Sequence, residues 1–174
     1  MEEIRVNRLP AITWRYLHVN DSPDQFEFPG SSASAVFSDK RYVSEGGTLP
    51  ADFCGASAET LAAAEKGQAY TVIIPENTEV ELTISITAEE ERPDFAGCFI
   101  FKLEKDAKLN LIWRLSGDRK HSVFATASFY ELMKNAALSV SYLETGLPAS
   151  SLYEQRYAVL GDDAKLDFVS AELG

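Results

Sequence analysis

One pattern recurs four times between Tyr70 and Gly174, and it constrains the fold more than any other feature of the chain. It reads ENTEVELTISI from Glu76, EKDAKLNLIWRL from Glu104, LMKNAALSVSYL from Leu132 and LGDDAKLDFVSA from Leu160. Thr78 then aligns with Ala107, Ala136 and Ala164, at successive offsets of 29, 29 and 28 residues. An offset this constant is the mark of a solenoid, in which each unit buries its apolar face only by stacking on its neighbours.

Within a unit the alternation is that of a strand with one buried face. Leu109, Leu111 and Trp113 alternate with Asn110, Ile112 and Arg114, and Leu138, Val140 and Tyr142 alternate with Ser139, Ser141 and Leu143. A second apolar strand precedes each polar turn: Tyr70 to Ile74, Cys98 to Leu103, Ala125 to Leu132 and Tyr157 to Leu160. Tight turns are expected at Lys105-Asp106, Lys134-Asn135 and Asp162-Asp163. Either a right-handed parallel β-helix or an antiparallel sandwich of hairpins accommodates these units, and the constant offset favours stacking of equivalent positions. The expected class is mainly β, with residues 70–174 forming the β-helix core and residues 1–69 a helical and irregular lobe.

A chain of 174 residues supports one core. Its 27 acidic and 16 basic residues give a net charge of −11, which offers no basic stripe for nucleic acid. The start MEEIRVNRLP lacks a secretory pattern, and no run of 18 apolar residues suggests a membrane span. Two cysteines without CxxC spacing do not make a disulfide scaffold. These features together give a cytoplasmic expectation.

In the N-terminal lobe, a short helix is expected from Pro10 and Thr13 through Trp14, Tyr16, Leu17 and Val19, stopped before Pro23. Short strands are expected at Gln25 to Phe28 and Ala35 to Phe37. Ser57 to Lys66 reads as a helix with Ser57 as N-cap, Thr60 being the neighbouring alternative, Glu59 in the first turn and Gly67 beyond its end. The run Glu89-Glu90-Glu91 reads as a solvated loop, since successive side chains of an extended segment point in different directions. A similar return is expected from Leu115 to Ser122.

Candidate chemistry is sparse. Cys98 sits in an apolar run and reads as a small buried side chain. Cys54, just before the expected helix, is the better candidate for a reactive thiol, which needs a histidine or a helix N-terminus to lower its pKa. His121, in a loop with Asp118 and Lys120, and His18, on the N-terminal helix, belong to no metal-binding spacing. No nucleophile elbow, Walker sequence or dinucleotide fingerprint is present. No catalytic residue and no metal ligand is therefore assigned, and no cofactor-binding residue is identified.

The segment VNRLPAITWRYLHVND, from Val6 to Asp21, together with EKDAKLNLIWRL and LGDDAKLDFVSAELG, resembles the SufB/SufD family of iron–sulfur cluster assembly proteins, nearer its SufD branch. The resemblance implies a right-handed parallel β-helix with helical terminal regions, acting as a scaffold in the SUF machinery. It implies a SufB-like protein and a SufC-like ATPase as partners, with a transient iron–sulfur cluster only in the complete complex and no intrinsic cofactor. Family proteins are longer, and no residue here matches their C-terminal functional positions, so neither His121 nor Cys98 inherits a role. On that comparison the chain looks truncated, and its last coil is expected to self-associate through an unpaired β edge. The competing expectations are a small β-rich metal protein or enzyme, of cupin-like architecture for instance, and a generic β-solenoid interaction module.

Overall fold

The computed structural model describes residues 2–6, 22–28, 30–53, 57–89, 91, 93–117, 122–146 and 150–173. Near the N-terminus, β1 (Glu2–Val6) and β2 (Ser22–Phe26) form an antiparallel pair. Two further short strands follow, β3 (Ala35–Phe37) and β4 (Val43–Glu45), and then α1 (Ala58–Lys66). The remaining eight strands are the repeats: β5 (Gln68–Ile74), β6 (Glu79–Ala88), β7 (Phe95–Leu103), β8 (Lys108–Gly117), β9 (Val123–Leu132), β10 (Ala137–Thr145), β11 (Ser151–Leu160) and β12 (Lys165–Leu173).

Those eight strands stack as a parallel β-solenoid. One sheet has the order β12-β10-β8-β6-β3 and the other β11-β9-β7-β5-β4. All pairings among β5 to β12 are parallel, which rules out the sandwich of hairpins. The sequence offset appears as ladder register: Val80, Leu109, Leu138 and Leu166 are successive partners in one sheet, and Ile74, Leu103, Leu132 and Leu160 in the other.

The turn between the two strands of each coil explains the repeated phrase. Asn77, Asp106, Asn135 and Asp163 all have positive φ, between 57° and 59°. Each lies inside an i→i+3 hydrogen-bonded turn, closed by Thr78 N–H to the Pro75 carbonyl and its equivalents at Ala107, Ala136 and Ala164. A non-glycine residue in this conformation is best an Asn or Asp, whose short polar side chain bonds locally. The turns are also bonded coil to coil, Asp106 N–H donating to the Lys134 carbonyl and Asn135 N–H to that of Asp162. Asn135 Nδ2 donates to Asp106 Oδ1 at 2.8 Å, and this bond, ahead of Lys105, holds the Asp106 carboxyl below its ordinary pKa. The inward residue after the turn must be small, and Ala107 and Ala136 are fully buried there.

Between the sheets runs an aromatic file, Phe37–Tyr70–Phe99–Trp113–Tyr142–Phe168, with centroid separations of 4.8, 5.5, 4.6, 6.1 and 6.3 Å. Offset stacking and edge contacts of this kind add to what area burial alone supplies. At the N-terminal end the file stops under β3 and β4, which pair antiparallel with β6 and β5 and finish both sheets.

The helix α1 covers the outer face of β7 and β9. Ser57 is its N-cap, its Oγ accepting from Thr60 N–H at 3.1 Å. Ala64 packs with Leu49, Phe53, Cys98, Ile100, Ala127 and Phe129, and Ala63 with Ala96 and Ala125. Gly67 leads from the helix into β5 beside β7, where a Cβ would stand 2.2 Å from the Ala96 carbonyl oxygen. The structure thus bears out the helix expected at Ser57 to Lys66 and the strand at Ala35 to Phe37. The first β-strand expected near Gln25 spans Ser22–Phe26 instead, and the helix expected around Trp14 lies outside the described residues.

Candidate functional site

Among the described residues, no group of three or more His, Cys, Asp or Glu side chains is placed to hold a metal ion. Cys98 is 4% exposed in the layer between β7 and α1, and burial, helped by Glu65, pushes its thiol up to about 12. A thiol in that state is not a nucleophile at neutral pH. Cys54, His18, His121, Asp118 and Lys120 lie outside the described residues, as does Glu90; Glu89 and Glu91 are exposed. No helix among the described residues is long and apolar enough to cross a membrane.

The feature that stands out is the coil formed by β11 and β12. Among the described residues these strands are the outermost members of their sheets. In the ladder that runs Ile74, Leu103, Leu132, Leu160, the third residue is 1% exposed and the fourth 49%. Ala158, Ala164, Leu166 and Phe168 are likewise only partly covered, although their partners Tyr130, Ala136, Leu138 and Val140 are buried.

The interior changes character on reaching this coil. The column Gln68, Gly97, Thr126 ends in Glu154, and the column Tyr70, Phe99, Ser128 ends in Arg156. Glu154 and Arg156 form an ion pair on the inward face, with side chains 18% and 36% exposed. The Arg156 guanidinium lies 3.9 Å from the Phe168 ring centroid and 5.4 Å from that of Tyr142, the arrangement in which a cation is held by an aromatic face. Burial, and then the Glu154 carboxylate, raise the Tyr142 phenol. Burial also pushes Tyr130 up to about 12, against a hydrogen bond with Ser128. In the opposite sheet Glu144 continues the column of Ile86 and Leu115.

The register also fixes which backbone groups of this coil point toward the coil before it. Ser151 and Gly161 both donate towards β9, to the Ser122 and Leu132 carbonyls, and the register between β11 and β9 is unbroken. Odd-numbered residues of β11 therefore face β9. The amides and carbonyls of Leu152, Glu154, Arg156 and Ala158 face away from it. Lys165 N–H, donating to the Ala136 carbonyl, fixes the same phase in β12, with Leu166 and Phe168 facing away.

The sequence signal for this end was weak. The apolar run predicts this strand only from Tyr157 to Leu160, short of Glu154 and Arg156. They are inward, while Tyr153, Gln155 and Tyr157 occupy the outer face, where Tyr157 meets Phe53 and Phe129 at centroid distances of 6.0 and 5.8 Å.

No family model, no curated protein and no solved structure matches this chain. That result overturns the assignment to the SUF system: what stands is a parallel β-solenoid. The turn-and-strand phrase that carried much of the resemblance has a geometric origin, since a turn with positive φ favours Asn, Asp or Gly there and the stacked strand after it alternates apolar residues inward. The other part, from Val6 to Asp21, lies almost wholly outside the described residues.

Proposed function

We propose that this chain is a β-solenoid interaction module that binds a partner through the side chains its stacked coils present. The observation that carries this reading is the outer face of the β6-β8-β10-β12 sheet, where Glu81, Asn110, Ser139 and Asp167 stand exposed in unbroken register beside the pair Glu79 and Lys108. Stacked coils hold such rows in fixed positions, which is how solenoids build extended binding surfaces. The activity proposed is binding rather than turnover.

A pull-down with the parent chain and with the double variant Glu81→Lys/Asp167→Lys tests it. Both proteins are expected to unfold at the same midpoint, because these side chains are exposed, and proteins retained by the parent are expected to be lost from the variant. An identical set retained by both would mean that this face is not the binding surface.

A further inference from the structure

We propose that the crevice between β3 and β4 binds a free aliphatic amino acid, its ammonium on Glu45, its carboxylate on Lys40 and its side chain against Phe37 and Val43. The crevice lies apart from the outer sheet face, so an occupant there neither requires nor excludes a protein partner.

The crevice follows from the shortness of the two antiparallel strands. β3 and β4 have three residues each and lie on strands of ten and seven. Directly opposite residues of paired strands share a face. The inward residues of β3 are therefore Ala35 and Phe37, opposite Ile86 and Ile84, and those of β4 are Val43 and Glu45, opposite Val72 and Tyr70. A carboxylate thus stands beside Tyr70, at the head of the column that continues with Phe99. Two hollows meet at Glu45 and Tyr70. One, of about 130 Å³, is lined by Ala35, Phe37 and Val43 with Lys40 beside them, a volume suited to a short aliphatic side chain. The other, of about 430 Å³, is lined by Ser34, Gly46, Gln68 and Ala69. An apolar hollow with a few convergent polar groups is the usual form of a small-molecule site.

The charges select the ligand. Neither Glu45 nor Lys40 makes an ion pair or a side-chain hydrogen bond to a described residue. Their neighbours are committed elsewhere: Asp39 pairs with Arg41 at 2.6 Å, and the Tyr70 hydroxyl donates to Gln68 Oε1. Gln68 Nε2 donates in turn to the Ala33 carbonyl at 2.9 Å, which fixes the amide. Burial, and then the Glu45 carboxylate, raise the Tyr70 phenol, in keeping with the closeness of the two groups. The backbone after Glu45 is pinned, with Gly46 N–H donating to the Ala69 carbonyl at 2.7 Å and Thr71 Oγ1 to the Gly46 carbonyl at 2.8 Å. A simple anion entering the crevice meets Glu45, and a simple cation meets Lys40. An uncharged ligand would strip water from both charges and give neither a partner. A zwitterion with an apolar side chain answers the two charges and the hollow together.

The test is a titration of the 174-residue chain with L-leucine, followed by amide NMR and calorimetry. Saturable shifts are expected at Glu45, Gly46 and Tyr70. Isoamylamine, which is leucine without its carboxylate, and isocaproate, which is leucine without its ammonium, should each bind at least about tenfold more weakly. Glu45→Gln and Lys40→Gln should each weaken leucine roughly tenfold or more. Both side chains are exposed, so the unfolding midpoint should not move.

The analogues separate recognition from a structural role. Glu45→Gln should bind isocaproate more tightly than the parent does, and Lys40→Gln should bind isoamylamine more tightly, because each variant has lost the like charge. A structural role gives no such crossover. No saturable shift with leucine, an analogue that binds the parent as tightly as leucine, an unchanged leucine affinity in either variant, or no crossover would overturn the proposal. Both substitutions leave Glu81 and Asp167 in place. Failure of leucine to bind would therefore remove the crevice alone, and an unchanged set of proteins in the pull-down would remove the outer face alone.

Discussion

The first coil and the coil of β11 and β12 depart from the repeat in different ways. At the first coil, β3 and β4 turn back antiparallel onto it, and Phe37 meets Tyr70 at 4.8 Å to finish the aromatic file. In the other, β11 and β12 keep the parallel register of the coils before them while the inward face of β11 becomes charged. A reversal of chain direction breaks the stacking itself, whereas an inward ion pair changes the chemistry of the interior and leaves the stacking intact.

The largest expected effect separates covered from uncovered members of one ladder. Leu132→Ala, at a buried position, should cost about 2 to 5 kcal/mol in urea unfolding at high dilution. Leu160→Ala, one coil further on, should cost less than about 1 kcal/mol, because the side chain is half exposed before it is removed. Equal losses would mean that Leu160 is covered as fully as Leu132.

Smaller effects concern the turns, which are common to every coil. Asn135→Ala should lower stability by about 1 to 2 kcal/mol, since alanine tolerates positive φ poorly and the bond to Asp106 is lost. Asn135→Gly should recover the conformational part of that loss, and equal unfolding midpoints for the two variants would show that φ is not the cause. The smallest effect is in pH. The Asp106 carboxyl is held below 3.8, its ordinary value, so its contribution is fully present above that value and is lost as pH falls through the lower folded midpoint. Asn135→Ala should move that midpoint upward in a carboxyl NMR titration, and an unchanged midpoint would exclude the amide as the donor that sets it.

Much of the solenoid was legible in the chain because its repeat is long enough to be counted and its turns use residues with a steric reason to be there. The inward phase of Leu109, Leu111 and Trp113 and the helix behind Ser57 were readable on the same grounds. The candidate site was not. Alternation assigns the larger apolar residues to the core, but on β11 the outer face is itself packed, so Tyr153 and Tyr157 sit outside while Glu154 and Arg156 sit within. Two covered faces erase the contrast on which phase assignment depends. The antiparallel return of β3 was equally hidden, because three residues fix a strand but not its partner.

The turn ladder has a consequence for anyone who would lengthen this molecule. Its positive-φ positions run Asn77, Asp106, Asn135, Asp163, so that amide and carboxylate alternate from coil to coil. The geometric period is one coil, but the chemical period is two. A copied coil inserted singly would place two carboxylates or two amides side by side at this column, whereas a copied pair preserves the alternation. Extension of this scaffold is therefore a matter of even numbers.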